Sequence, residues 1–450
     1  MISYHARWVI PITAPPIEHG TVVVNSGRIT RVGPRSRAAN GEWARDGGPE
    51  LDLGEALLMP GLVNVHTHLD LTVMRGFLED LEFTQWIRRL TEAKRAVLDR
   101  ERLLDSARLG LVEGVSHGIT TYGDTCDSPV ALDAMVEAGV RGISYQEVFG
   151  PDPARCAESL AELQSRVAAL RARETALVKV GVSPHAPYSV SDALFAAVAG
   201  YARQESLPIA VHIAESEAER ELVEDGDGPF AARLRQRGIA VAPRARSSIE
   251  LLQSAGILDA RTLLIHCVRV DADDIGHIAR GRSAVAHCPV SNAKLGHGTS
   301  PLLELLEAGV TVGIGTDSVA SNNRMDMLGE ARSAILAQRA RVGRHDVLCA
   351  GDALSLATLD AARALGLDRE IGSLEPGKSA DLAAFPLHSR VMPVHDPEAA
   401  AIFALPGVPA SLVTVAGREL VRDGALLAAD PALESRVEVA AQALRDWSRS

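Results

Sequence analysis

Short apolar runs alternate with amphipathic stretches through the middle of this 450-residue chain. The runs are rich in Val, Ile and small residues, and stretches such as 191–205 and 302–308 have the spacing of a helix with one apolar face. Near-continuous apolar strands that alternate with helices indicate a parallel sheet covered on both faces. The runs are at 58–66, 119–124, 140–148, 177–185, 209–215, 263–268, 284–288 and 312–317.

Eight such repeats predict an α/β fold with a (β/α)8 barrel over residues 58–374. The chain ends differ, because strand patterns at 21–24 and 28–32 flank a hairpin signal, and 381–385 and 411–415 predict strands again. We expect residues 1–57 and 375–450 to form a small β-sandwich domain followed by a C-terminal helix. The polar, glycine-rich stretch 38–50 predicts a surface loop.

Chemistry-bearing residues begin with His66-Thr67-His68 at the end of the first barrel strand. Residues i and i+2 of a strand point to one face, so both imidazoles can bind one metal ion. The triplet is weak evidence alone, but catalytic groups of barrel enzymes lie at the carboxyl ends of the strands.

Five later strands also end in groups that can bind metal or move protons. Burying so many ionisable groups at one rim without partners is costly, so the set indicates an active site. Single members can still be structural, and for His287 the structural and functional interpretations are equally open. The groups are His185, His212, Glu215, His266, His287 and Asp317.

These segments together resemble the amidohydrolase superfamily, and within it the cytosine/adenosine deaminase-like and chlorohydrolase-like branch. The matching segments are 60–68 (PGLVNVHTH), 212–215 (HIAE), 266–267 (HC), 315–317 (GTD) and 372–382 (GSLEPGKSADL). The resemblance covers nearly the whole chain, and it is specific for the branch but much less so for the substrate.

The resemblance implies one divalent metal ion, zinc or alternatively iron(II), bound by His66, His68, His212 and Asp317. It implies that Glu215 shuttles protons, that His266 holds the attacking water, and that Asp317 also accepts a proton. His185 would contact the substrate ring or its leaving group. Two-metal relatives use a lysine on the fourth strand, but Lys179 lies six residues before His185, so we favour one metal ion.

Segments 75–81 and 317–327 are similar to those of deaminases that act on adenosine-derived nucleosides. Two subgroups match about equally well, the methylthioadenosine/S-adenosylhomocysteine deaminases and the aminodeoxyfutalosine deaminases. The sequence after His68 is closer in style to the H-T-H-L-E segment of the second subgroup. The first subgroup has a Trp-Pro segment with a ribose-binding glutamate, whereas here Trp86 is followed by Ile87. Glu92 is the candidate for that ribose contact.

The same constellation also serves triazine chlorohydrolases and guanine-type deaminases, because function lies in the pocket rather than the scaffold. A catalytically inactive binding or scaffold relative would have lost ligands that are all present here. His297 and seven other histidines belong to no recognisable group of candidate site residues in the sequence. The run Glu217, Glu219, Glu221 and Glu224 predicts a solvated helix face.

Composition narrows the partners and the compartment. The 46 Lys and Arg against 58 Asp and Glu give a net charge of −12, which disfavours nucleic acid and anionic membrane surfaces. No apolar stretch approaches the ~20 residues of a membrane span. Five cysteines without a C-x-x-C pair are typical of a reducing cytoplasm. We expect a cytoplasmic enzyme with a small heterocyclic substrate, and the resemblance implies a homo-oligomer.

Overall fold

The computed structural model describes residues 1–36, 48–258, 261–389 and 391–449, so most of the predicted 38–50 loop lies outside it. The strands of the described chain are β1 Ile2–Val9, β2 Ile17–Asn25, β3 Arg28–Pro34, β4 Glu50–Asp52, β5 Ala56–Pro60, β6 Leu62–Thr67, β7 Ile119–Cys126, β8 Arg141–Val148, β9 Val178–Pro184, β10 Ile209–Ile213, β11 Thr262–His266, β12 Ala284–His287, β13 Val312–Ile314, β14 Leu382–Pro386, β15 Leu412–Val415, β16 Arg418–Arg422 and β17 Ala425–Leu426.

The α-helices follow in chain order, with short 3-10 turns at Leu69–Met74 and Pro153–Arg155 and a π-helical turn at Glu221–Asp225. They are α1 Phe83–Val97, α2 Arg100–Ser116, α3 Val130–Ala138, α4 Cys156–Arg171, α5 Asp192–Glu205, α6 Glu217–Arg220, α7 Gly228–Gln236, α8 Ser248–Ser254, α9 Ala272–Gly281, α10 Pro289–Lys294, α11 Leu302–Glu307, α12 Val319–Asn322, α13 Met327–Val342, α14 Ala350–Leu356, α15 Leu359–Ala364, α16 Pro397–Phe403 and α17 Leu433–Arg449.

Strands β6 to β13 pair in chain order as a parallel sheet, which confirms the predicted barrel. Asn64 joins the first strand to the end of the last, because its amide accepts the Thr316 N–H at 3.0 Å and donates to the Thr316 hydroxyl at 2.8 Å. Apolar side chains such as Val63, Tyr145 and Ile265 pack as one cluster inside. A filled barrel leaves the carboxyl ends of its strands as the place for a site.

The first predicted strand, 58–66, is divided in the structure. Strand β5 pairs with β14 and β1 in the terminal sheet, whereas β6 begins the barrel after Gly61. A Cβ at Gly61 would lie 2.2 Å from the Thr120 hydroxyl oxygen, so the chain passes here only without a side chain. We propose Gly61, rather than Leu58, as the point where the chain enters the barrel domain.

The terminal segments form one mixed sheet, in the order β17-β16-β15-β14-β5-β1-β2-β3 with β4 beside β1. Its inner side chains, including Tyr4, Val22 and Leu382, make a separate apolar cluster. The terminal segments therefore form one sheet around its own core, where a sandwich of two sheets was expected. The C-terminal helix lies on the barrel side, where Trp447 contacts Phe77. No helix among the described residues is long and apolar enough to cross a membrane.

Candidate active site and metal centre

Four predicted ligands converge at the carboxyl end of the barrel. The Nε2 atoms of His66 and His68 lie 3.4 and 3.6 Å from Oδ1 of Asp317. The Nε2 atoms of His68 and His212 are 3.3 Å apart. The structure therefore brings together His66, His68, His212 and Asp317, which come from the first, fifth and eighth strands of the barrel.

The chemistry of these donors fits a divalent metal ion. Burial lowers the pKa of His66 to about 4 and that of His212 well below its usual value, so both rings are neutral and offer lone pairs. Neither ring nitrogen of His66 makes a well-formed hydrogen bond to any described residue. Nδ1 of His212 donates to the His185 carbonyl at 3.1 Å, which directs Nε2 to the cluster.

The Asp317 carboxylate is held from several sides. Its Oδ2 accepts hydrogen bonds from the hydroxyls of Ser291, at 2.5 Å, and Ser321, at 2.9 Å. Its Oδ1 accepts the Ser318 N–H at 2.6 Å. Burial opposes ionisation, but His66, His266 and His68 together outweigh it and hold the pKa of Asp317 well below its usual range. The carboxylate is therefore fixed and charged at neutral pH.

Glu215 and His266 form a buried pair beside the predicted ligands. Nε2 of His266 lies 3.4 Å from Oε1 of Glu215, and its Nδ1 donates to the Asn292 side-chain oxygen at 2.9 Å. Sequence reasoning missed His297, whose Nε2 lies 3.3 Å from the same Glu215 oxygen. Burial raises the pKa of Glu215, but His266 and His297 together lower it below its ordinary value.

Glu219 corrects the expectation of a solvated helix face, because it is fully buried. Its carboxylate accepts the N–H groups of Ala214 and Glu215 at 2.7 and 3.2 Å, and the Ser248 hydroxyl at 2.7 Å. Ala214 has a φ of +51°, in the left-handed region that favours glycine. Glu219 therefore fixes the strained turn that presents Glu215.

His185 and an aromatic wall line a cavity of about 730 Å³ above the ligand cluster. The His185 ring lies 4.9 Å from that of His212 and 4.8 Å from that of Phe149. Tyr188 and Phe230 stack at 4.2 Å in the wall. A cavity of this size with aromatic walls and a polar floor suits a flat heterocycle with a substituent.

Glu92, the residue expected to contact a ribose, does not line this cavity. It is exposed on α1, while its neighbours Thr91 and Lys94 line the cavity. Successive helix residues are rotated by ~100°, so the face that carries Leu90, Thr91 and Lys94 turns the Glu92 side chain elsewhere.

Two other polar groups of the cavity were also missed by sequence reasoning. Glu147, near the end of β8, is buried, and its Oε1 has no hydrogen-bond partner in the part of the chain that the structure describes. Lys94 is bound between Asp70 and Asp127, with Nζ–O distances of 2.7 and 2.8 Å. The position of Glu147 at the end of a predicted strand was the available signal, whereas the Lys94 contacts depend on tertiary packing.

Comparisons with known proteins agree with this geometry. The model of the amidohydrolase family matches residues 57–420. The chain is 34% identical to 5-methylthioadenosine/S-adenosylhomocysteine deaminase of Moorella thermoacetica, over 92% of this chain and 93% of that protein.

Two solved structures are also similar. An adenosine deaminase of Xanthomonas campestris with bound zinc has a TM-score of 0.86 at 29% identity, and the match covers 100% of this chain and 98% of that one. The zinc complex of atrazine chlorohydrolase from Arthrobacter aurescens has a TM-score of 0.83 at 25% identity, covering 99% and 100%. With the family model matched across most of its length, the chain belongs to the amidohydrolase family.

Proposed function

We propose that this protein is a metal-dependent hydrolytic deaminase that releases ammonia from the adenine ring of a nucleoside. The observation that carries the proposal is the convergence of three neutral histidines and Asp317 beside the Glu215 carboxylate, on the floor of an aromatic cavity. The names of the similar proteins support the substrate class, since two of the three act on adenine nucleosides.

His66, His68, His212 and Asp317 would hold one divalent ion, and zinc is the ion that three imidazoles and one carboxylate suit. Iron(II) is the alternative. When bound, such an ion supplies a water acidified to a pKa of ~7, which is a nucleophile at neutral pH. Zinc in both similar structures supports this assignment.

The protein's own groups then move the protons. Asp317, whose carboxylate is fixed by two serine hydroxyls, accepts a proton from the attacking water. Glu215, which is ionised in the free protein, takes the other proton of the attacking water and passes it to the ring nitrogen as the water oxygen adds to the adjacent carbon. His266, whose Nε2 lies 3.4 Å from the Glu215 carboxylate, hydrogen-bonds the attacking water. Asp317 passes its proton to the amine, which leaves as ammonia, and His185 contacts the ring near that amine.

The experiment is ammonia release, measured with zinc-loaded protein on adenosine, methylthioadenosine, S-adenosylhomocysteine, aminodeoxyfutalosine, guanine and a chlorotriazine, with chloride also recorded. Turnover of an adenine compound, lost in Glu215→Gln at unchanged zinc content, would support the proposal. If zinc-loaded protein releases no ammonia from any adenine compound, the proposal is overturned. Chloride release would favour the chlorohydrolase alternative, which the fold of the Arthrobacter aurescens enzyme keeps open.

We further propose that the enzyme is a cytoplasmic homo-oligomer. All five cysteines are free, which supports a reducing compartment. Light scattering coupled to gel filtration tests the assembly, and a monomer at micromolar concentration would overturn that part.

A further inference from the structure

The cavity carries its charges in two separate zones. The carboxylates of Glu215 and Asp317 lie at the buried end, beside the histidines. Three arginines line the same cavity but are exposed, and they therefore lie at its mouth: Arg95, Arg233 and Arg237. Lys94, which also lines it, is already neutralised by Asp70 and Asp127.

None of the three arginines makes a side-chain hydrogen bond or ion pair with any residue that the structure describes. Arg235, on the same helix as Arg233, behaves differently, because its guanidinium binds Asp227 at 3.2 Å and the Gly226 carbonyl at 2.6 Å. In a chain of net charge −12 with many arginine–carboxylate pairs, a cluster of unpaired arginines at a cavity mouth is a feature that packing does not require.

Helix α1 carries Arg95, and α7 carries Arg233 and ends just before Arg237. Phe83 of α1 and Phe230 of α7 meet edge to face, with ring centroids 6.2 Å apart. The contact joins two of the segments that line the cavity, and Arg95, Arg233 and Arg237 belong to these segments. Guanidinium groups bind carboxylate and phosphate through paired N–H donors, so they suit an anion at the cavity mouth.

We propose that Arg95, Arg233 and Arg237 form an anion-binding subsite, which selects adenine nucleosides whose 5′ substituent carries a carboxylate or a phosphate. The inference rests on the proposed function, which places the adenine ring at the buried end. The 5′ substituent is the part of a nucleoside farthest from the reacting ring, so it extends to the mouth.

The test compares adenosine, which is uncharged, with adenosine 5′-monophosphate, which carries a phosphate, and S-adenosylhomocysteine, whose tail carries a carboxylate beside an ammonium group. The double variant Arg233→Ala/Arg237→Ala should raise KM for the preferred anion about tenfold with kcat little changed, since each exposed ion pair contributes modestly. Its KM for adenosine should stay within about twofold, because adenosine carries no charge for the guanidinium groups to bind. Arg95→Ala should give a smaller effect of the same kind.

The matched control is Arg235→Ala, which removes a guanidinium from the same helix but outside the cavity, and it should change neither KM. In the wild type, raising sodium chloride from about 0.05 to about 0.5 M should raise KM for the anion and leave that for adenosine unchanged. Equal losses on charged and uncharged substrates, or no loss on either anion, would overturn the subsite.

Different results would contradict the deaminase function and the arginine subsite. If the wild type deaminates adenosine but the arginine variants treat all three compounds alike, only the subsite is wrong. If no adenine compound reacts, the proposed function is wrong, and calorimetric titration with adenosine 5′-monophosphate still decides the subsite. Binding weakened about tenfold in the double variant but not in Arg235→Ala would support the subsite, and equal binding would refute it.

Discussion

His297 and His266 approach the same oxygen of Glu215 from two different segments of the chain. Their Nε2 atoms lie 3.3 and 3.4 Å from Oε1, and all three side chains are buried. His297 follows α10, outside the strand ends that carry the other site residues. The two imidazoles lower the pKa of Glu215 against the effect of its burial, so the carboxylate is ready to accept a proton at neutral pH.

Replacing His297 with Ala should raise the pKa of Glu215, because one of the groups that favours its ionised form is lost. Activity that needs ionised Glu215 falls as pH drops through that pKa, so the acid limb of the kcat/KM profile should move to higher pH. His297→Gln keeps a hydrogen-bond donor and should recover part of the shift. If the acid limb of His297→Ala stays at the wild-type pH, His297 does not influence the ionisation of Glu215 during catalysis.

Glu219→Ala should destabilise the protein by about 2–4 kcal/mol, because it leaves the buried N–H groups of Ala214 and Glu215 without an acceptor. It should also lower kcat, since the turn that presents Glu215 loses its support. Adding Ala214→Gly should recover about 1 kcal/mol by relieving the left-handed backbone.

The control for Glu219 is Glu217→Ala on the same helix, where the side chain is 49% exposed. Its free energy of unfolding should stay within about 0.5 kcal/mol of the wild type. Urea unfolding measures all of these variants, and a Glu219→Ala value as small as that of Glu217→Ala would show that the buried acceptor is dispensable.

Glu147 should make stability depend on pH between about 5 and 8. Burial raises its native pKa to about 8 from an ordinary 4.5, so over this range the native state holds a proton that the unfolded state has released. The free energy of unfolding should therefore fall as pH rises, by on the order of 3 kcal/mol from this group.

Glu147→Gln, which cannot ionise, should lose that dependence. The comparison is urea unfolding of chelator-treated protein at several pH values, since His212 beside Glu147 is a proposed metal ligand. Glu137→Gln, on an exposed helix position, serves as the control and should follow the wild type. Parallel pH curves for wild type and Glu147→Gln would contradict the buried, protonated acid.

Arg141 joins the start of the third barrel strand to Asp381 of the terminal segment by two hydrogen bonds, at 2.9 and 3.2 Å, with both side chains buried. Arg141→Met should cost about 3–5 kcal/mol in unfolding free energy, because it leaves a buried carboxylate without its cation. The double variant Arg141→Met/Asp381→Asn removes both charges and keeps an acceptor for the Ala416 N–H, so it should recover more than half. A double variant no more stable than Arg141→Met would show that the pair is not coupled.

Part of this protein is determined by local sequence patterns. Alternating apolar runs predict the barrel because parallel strands buried on both faces must be apolar throughout. The predicted ligands His66, His68, His212 and Asp317 stand at or next to strand ends, and parallel strands bring those ends to one rim. Their convergence was therefore predictable from the sequence.

Tertiary structure decided the remainder. Gly61 divides one apolar run between two sheets because of the nearby Thr120, which lies far along the chain. Glu92 turns away from the cavity and Glu219 turns inward because helix phase and neighbouring segments, rather than residue type, select the buried face. His297 reaches Glu215 from a loop that lies 82 residues later in the chain. Such contacts join segments remote in sequence, and no local pattern encodes the packing that brings them together.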